Sequence, residues 1–327
     1  MRHRIEASLA LVIAILAAVL LVAAPAFFSS ANLVDILLAT LPVLIVATGA
    51  TLVVLIGDID ISVGSVFAIT SVAAGLFAKL GVPMPLVLLL VVATGAMFGA
   101  LNGALVAALR LPSIVVTLAA MVALRDGLRW ATQGAWIQDL PPHFQWFGLG
   151  QRAYPALAIG VATVLLLKVS WALRHLPAGR AIYATGSNAD AARLAGIRTA
   201  LVRFYVFMVA GACTGLAAAF NAVRFNQIPS NAGVGMEMQV VAAVVVGGTA
   251  ITGGRGTLLG TCLGVLLLGA IGPALTFLGA SPYWERAIQG AIILTAVALD
   301  AYRTRQPRRS RTSSLTSAAP RGTHGAA

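Results

Sequence analysis

Polar side chains are scarce in this sequence, so each place where they gather is a candidate for chemistry. The first is Gly57-Asp58-Ile59-Asp60-Ile61-Ser62-Val63-Gly64-Ser65, two carboxylates within three residues, set between glycines and between two apolar runs. Charge at membrane depth is costly and usually faces a bundle interior or water. Glycines let a backbone break or a neighbour approach closely. One reading of Asp58, Asp60, Ser62 and Gly64 is therefore a broken helix lining a substrate path. The other is a tight cytoplasmic turn in which Asp60 or Ser62 caps the next helix. The residues alone leave both open.

The second gathering runs from Gly247 to Thr257 and contains Gly247, Gly248, Thr249, Gly253 and Gly254. Its glycines have the look of a phosphate cradle, but a P-loop requires G-x-x-x-x-G-K-[ST]. The only lysines are Lys79 and Lys168, and neither follows a glycine. The chain lacks a Walker lysine and is not expected to bind ATP by that route. The glycines read instead as a sharp helix break or as close helix packing.

The third runs from Gly179 to Ile197. Asn188 is a good N-cap, Asp190 suits the positive start of a helix and Gly196 suits its C′ position. Ala191, Ala192, Leu194 and Ala195 between them make a helix of fewer than ten residues, too short to stand alone. Such a helix docks into a groove on a partner, or folds back on its own bundle.

No set for covalent catalysis accompanies these. His3 and His324 are terminal, while His143 and His175 fall in loops, so no Ser-His-Asp arrangement is expected. Cys213 and Cys262 lie within apolar runs, without metal-ligand spacing, and read as packing residues.

The elements that carry these segments follow from composition. Of 327 residues 59% are hydrophobic and 10% are charged, against about 25% charged in soluble domains. This chain cannot cover a water-facing globule. Its apolar runs last about twenty residues, the length of a spanning helix and twice that of a barrel strand. About ten spans (eight to eleven) are expected: Ala7–Phe28, Leu33–Ile56, Ile61–Ala78, Met84–Ala108, Pro112–Thr132, Tyr154–Leu173, Phe204–Val223, Met238–Thr252, Leu258–Gly279 and Trp284–Tyr302. The first has a basic start like a signal peptide, but its apolar region is long for one, which favours an uncleaved helix. Residues 133–152, polar with Trp136, Trp146 and two prolines, suit an interfacial loop or short helix. The expected fold class is thus all-α, a polytopic transmembrane bundle over residues 1–302. A cytoplasmic loop spans 174–203, and a basic tail, 303–327, is expected to be disordered.

The net charge of +12 raises the question of nucleic acid. Fourteen of the 22 basic residues lie at the start, between Lys168 and Arg203, and in the tail. Clusters beside apolar spans mark the cytoplasmic side. With ten crossings, all three clusters and Arg110 fall on that side, with both termini inside. The charge reads as topology in a lipid bilayer, with no nucleic-acid partner.

The loop also resembles the coupling segment of sugar-type permeases of ATP-binding cassette importers, the ribose/xylose/galactose group, which carry G-R-x-x-Y-A-x-G-x-N-x-x-A-A-x-L-x-G-I. Gly179, Arg180, Tyr183, Ala184, Gly186, Asn188, Ala191, Ala192, Leu194, Gly196 and Ile197 match. The family's G-G-I-D-L-S-V-G-S matches at Gly57, Ile59, Asp60, Ser62, Val63, Gly64 and Ser65, with Asp58 in place of the second glycine and Ile61 in place of leucine. Its N-G-x-L-V and P-x-x-I-V-T-L match at Asn102, Gly103, Leu105, Val106, Pro112, Thr117 and Leu118, with the Ile-Val pair one position early at Ile114 and Val115, and its G-G-T-x-x-x-G-G-x-G matches from Gly247 to Gly256. The four motifs stand in family order, and the resemblance covers all but the tail after Tyr302.

What the resemblance implies is a mechanism divided among chains in a bacterial cytoplasmic membrane. A periplasmic or lipid-anchored binding protein would deliver a monosaccharide. Two permeases, alike or related, would form the path. Cassette ATPases, which hold the ATP and magnesium, would grip the Asn188–Gly196 helices. This chain would carry neither cofactor nor catalysis. Asn102 and Thr117 join the candidate path residues on this ground. The rivals are a branched-chain amino-acid permease of the same superfamily, which the P-x-x-I-V-T-L run and the A-A-x-L-x-G-I ending disfavour, and an ion-coupled secondary transporter. The latter needs coupling carboxylates within spans, whereas Asp58, Asp60 and Glu237 lie near expected span ends.

Overall fold

The computed structural model describes residues 2–281 and 283–305. They form twelve α-helices: α1 Arg2–Ala23, α2 Ser30–Leu55, α3 Val63–Lys79, α4 Met84–Ala108, α5 Ser113–Thr132, α6 Tyr154–His175, α7 Pro177–Ser187, α8 Ala189–Leu194, α9 Thr199–Ala222, α10 Met236–Val246, α11 Leu258–Phe277 and α12 Trp284–Arg305. Among the described residues the one extended pairing is an isolated antiparallel bridge between Ile137 and Ile228. The chain is an all-α polytopic membrane bundle.

Six helices, α1 (from Glu6), α2, α4, α6, α9 and α11, are long and apolar enough to cross a bilayer; α3 and α10 are apolar but shorter. α5 has the length, yet carries Arg125, Asp126 and Arg129. Several expected boundaries move. The first span ends at Ala23 and a 3-10 turn, Pro25–Phe28, follows it, because Pro25 has no amide hydrogen to continue the ladder. The expected span Met238–Thr252 stops at Val246, where the glycines begin. α9 begins five residues earlier than Phe204 and α12 runs to Arg305. The tail from 306 onward lies outside the described residues.

α1 leaves Leu11, Ile15, Leu21 and Val22 exposed, as a lipid-facing helix does. α2 is buried along most of its inner half, from Leu38 to Leu55. The closest helix pair is α4 with α9. Gly95, Gly99 and Gly103 recur every fourth residue on α4; the first two meet Gly211 and Gly215 on α9, and Gly103 meets Phe204 and Phe207. A methyl group on Gly95 would stand 2.3 Å from the Gly211 carbonyl oxygen, and one on Gly211 would stand 2.2 Å from that of Gly95. Between helices in lipid, where hydrophobic transfer offers nothing, such small-residue seams allow the close packing that holds a bundle together.

Residues 133–152 lie over one end of this pair. Phe144 is fully buried, Trp146 and Tyr154 pack with ring centroids 5.0 Å apart and planes tilted by 59°, and the Tyr154 hydroxyl donates to the Phe220 carbonyl.

Candidate functional site: two helix breaks and a short capped helix

α2 ends at Gly57. The Gly57 amide bonds to the Val54 carbonyl (3.0 Å) and the Asp58 amide to that of Val53 (3.1 Å), a Schellman closure. It requires a left-handed residue, and Gly57 has φ +83°. From there the chain climbs α5. Ser113 Oγ accepts from the Ile59 amide (3.2 Å), Thr117 Oγ1 donates to the Ile59 carbonyl (3.3 Å), and Ser65 Oγ donates to the Met121 carbonyl (2.8 Å). α3 therefore begins level with Met121, about 12 Å above Ser113 at 1.5 Å per residue.

Four candidate residues share one network within this climb. Asp60 Oδ1 accepts from the Ser62 amide (2.9 Å) and hydroxyl (2.6 Å), and Asn102 Nδ2 donates to Ser62 Oγ (2.9 Å). Thr117 closes the set through Ile59. Asp60, Ser62, Asn102 and Thr117 are all buried. The helix is thus broken among buried residues, and Asp60 closes the turn from which α3 starts. Asp58 points the other way, with Oδ2 at 3.2 Å from Arg203 Nε on α9.

The second break packs onto the first. The Gly254 amide bonds to the Leu55 carbonyl at 2.8 Å. A methyl on Gly253 would come within 2.8 Å of the Gly57 nitrogen and 2.9 Å of the Gly186 carbonyl oxygen. A methyl on Gly186 would fall 1.8 Å from the Leu55 carbonyl oxygen. Gly247 presses on Gly260 of α11, Gly248 turns the chain out of α10 with φ +85°, and Thr249 is buried against Gly256. Tyr183 on α7 donates to the Gly256 carbonyl at 3.0 Å. Three segments distant in sequence, around Gly57, Gly186 and Gly253, thus form one junction in which backbone meets backbone.

α7 itself was not foreseen in the sequence. Pro177 at its first turn starts it, and Gly179 lets it lie against the end of α6 at Leu173. Arg180 is exposed.

α8 hangs from the end of α7. Asn188 Oδ1 accepts from the amides of Asp190 (3.0 Å) and Ala191 (2.9 Å), and Asp190 pairs with Arg193. At its end the Gly196 amide bonds to Arg193 and the Ile197 amide to Ala192, a second Schellman closure with Gly196 at φ +84°. Ala192 faces the bundle and is buried, Ala191 is exposed, and Leu194 is 91% exposed. Beside α8 a cavity of about 380 Å³ is lined by Arg110, Arg193, Arg198 and Arg203.

One pair escaped the reading of the sequence. Arg125 Nη2 of α5 lies 3.9 Å from Glu237 Oε2 of α10, with side chains 16% and 13% exposed. A methyl on Gly64 would touch both. In the sequence Glu237 reads only as a carboxylate near a span end, and Arg125 belongs to no motif. The available signal was an arginine deep in an otherwise apolar stretch. Among the described residues no group of three or more His, Cys, Asp or Glu side chains is placed to hold a metal.

Comparison with known proteins agrees with this architecture. The profile of the family described as "Branched-chain amino acid transport system / permease component" matches residues 32–297. The ribose import permease protein RbsC of Escherichia coli K12 is 34% identical over 290 residues, 88% of this chain and 90% of that one. Its counterpart in Haemophilus influenzae is 34% identical over 305 residues, 92% and 94% of the two chains. The autoinducer 2 import system permease protein LsrC of Escherichia coli O9:H4 is 35% identical over 297 residues, 88% and 85%. No solved structure matches the chain. With two helix breaks meeting beneath a capped, exposed helix, and with relatives that align over nearly the whole length, the chain belongs to the branched-chain amino acid transport system permease family.

Proposed function

We propose that this chain is the path-forming permease subunit of an ATP-binding cassette importer for a monosaccharide or a sugar derivative. An extracytoplasmic binding protein delivers the substrate, and separate ATPase subunits, with their ATP and magnesium, do the chemical work. The observation that carries the reading is the junction of Gly57, Gly186 and Gly253 beneath α8. A force on α8 passes through α7 into backbone-to-backbone contacts at both helix breaks. The ribose and autoinducer 2 relatives support the sugar branch. A second permease copy, alike or related, completes the path in a bacterial cytoplasmic membrane, with both termini on the ATPase side.

The test is reconstitution with a cassette ATPase and a sugar-binding protein. ATP-dependent uptake of labelled ribose or related sugars into proteoliposomes, indifferent to ionophores, is expected. Uptake by this chain alone, driven by an ion gradient, would make it a secondary transporter. Uptake of leucine in place of sugars would move it to the amino-acid branch.

A further inference from the structure

The Arg125–Glu237 pair joins α5 to α10 within the bundle. Its depth can be measured along two helices. Arg125 is twelve residues above Ser113 and Glu237 ten residues from Gly247, about 18 and 15 Å at 1.5 Å per residue. Both therefore stand well away from the end of the bundle where the two breaks meet. Ionisable groups buried in a membrane bundle are expensive and ordinarily mark a substrate pathway.

Their geometry is that of an incomplete site. At 3.9 Å the two charged groups are too far apart to hydrogen-bond, and both Arg125 Nη2 and Glu237 Oε2 are buried without a hydrogen-bond partner. The other ends are held. Arg125 Nε donates to Ser65 Oγ at 3.3 Å, and Glu237 Oε1 accepts from the Gly235 amide at 3.3 Å. Each side chain is thus oriented from behind and presents one unused donor or acceptor to the same point. Around that point the backbone is irregular. α10 is only eleven residues long, the chain before it turns through Gly233 (φ +72°) and Gly235 (φ +84°), and α3 starts beside it at Val63. Interrupted helices whose ends converge within the bundle are how transporters build a polar station in lipid. Gly64 lets both charged heads come up against the start of α3, because a methyl there would stand 2.2 Å from Glu237 Oε2 and 3.0 Å from Arg125 Nη2.

We infer that Arg125 and Glu237 form a polar station of the translocation path, where the substrate's hydroxyls replace the missing hydrogen bonds. A hydroxyl donates to Glu237 Oε2 while its neighbour's oxygen accepts from Arg125 Nη2. The ligand class is a neutral polyhydroxylated molecule with adjacent hydroxyls, which bridges a carboxylate and a guanidinium without adding charge. An ion or an apolar amino-acid side chain does neither. The inference rests on the sugar-importer reading and assigns that path its first substrate-contacting residues.

The experiment uses the reconstituted complex with loaded binding protein and reads labelled ribose delivered per ATP hydrolysed. Replacing a buried ion pair with apolar side chains leaves no orphan charge and is often neutral for folding. Arg125→Met/Glu237→Met is therefore expected to co-purify with the ATPase, while sugar delivered per ATP falls roughly ten- to a hundredfold, as loss of a charge-assisted hydrogen bond to the passing substrate requires. Glu237→Gln, which removes only the charge, gives the same reading should the double variant fail to assemble. A structural clamp lowers assembly, ATP turnover and uptake in proportion, so an unchanged ratio overturns the inference, whether both rates are intact or both are reduced. An unmutated complex that imports no sugar at all would overturn the functional reading, and this inference with it. An active parent with an unchanged ratio in the variants would overturn this inference alone.

Discussion

Arg203 Nε on α9 lies 3.2 Å from Asp58 Oδ2, across 145 positions of sequence. Asp58 is the residue by which the first break departs from the pattern it resembles, and Arg203 closes the basic loop. The extra carboxylate and the last arginine of the loop thus form one ion pair between the first helix break and α9. Asp58 is 8% exposed and Arg203 33%, so this pair is partly screened by solvent.

Asp58→Asn is expected to cost about 1–2 kcal/mol, below the roughly 3–5 kcal/mol of a fully buried pair broken on one side. Asp58→Asn/Arg203→Gln should cost less than the sum of the two single changes in denaturant unfolding in detergent. Strict additivity would mean that the two charges do not interact.

The cap of α8 sets a second expectation. Asn188→Ala removes the acceptor for two helix-end amides and should cost about 1 kcal/mol locally. In a helix of six residues that is enough to unwind it. ATPase co-elution should weaken, while Asn188→Asp, which keeps the acceptor and suits the positive helix end, should preserve it.

Leu194 separates folding from docking. At 91% exposure it contributes little to the bundle. Leu194→Glu should leave the permease's thermal stability within about 0.5 kcal/mol of the parent. Binding of the ATPase should fall sharply in the same preparation. Intact ATPase binding would return α8 to a surface ornament of its own bundle.

Gly186 is the opposite case. Gly186→Ala adds a single methyl, which would fall 1.8 Å from the Leu55 carbonyl oxygen. Opening the junction should cost about 1–3 kcal/mol in stability. Any complex that survives should hydrolyse ATP with less sugar delivered per turnover. Gly196→Ala, where nothing lies within 4 Å but φ is +84°, should cost only the left-handed backbone, about 1–2 kcal/mol.

Much of this was legible in the residues. Apolar runs of twenty with 10% charge leave only a helical membrane bundle. The cap and stop of α8, Asn188 and Gly196, are local chemistry that needs no neighbour to be read. The ends of helices were less legible: α10 stops at Val246 although Ala250 and Ile251 are apolar, because Gly247 and Gly248 turn the chain first. Helix α7 was hidden because its sequence, with two glycines in eleven residues, has little propensity and forms by packing against α6 and α9.

The sequence by itself determined which residues are polar in an apolar chain, and therefore where the helices must break, since an ionised group or a glycine pair is read out within a few residues of itself. Only the tertiary structure decided which breaks meet. That Gly57, Gly186 and Gly253 share one contact, that Asp58 finds Arg203, and that Arg125 faces Glu237 across Gly64 all depend on how helices pack sideways. In a bilayer that packing is governed by small-residue seams such as Gly95–Gly211. Hydrophobic periodicity cannot reveal it, because there both faces of a helix are apolar.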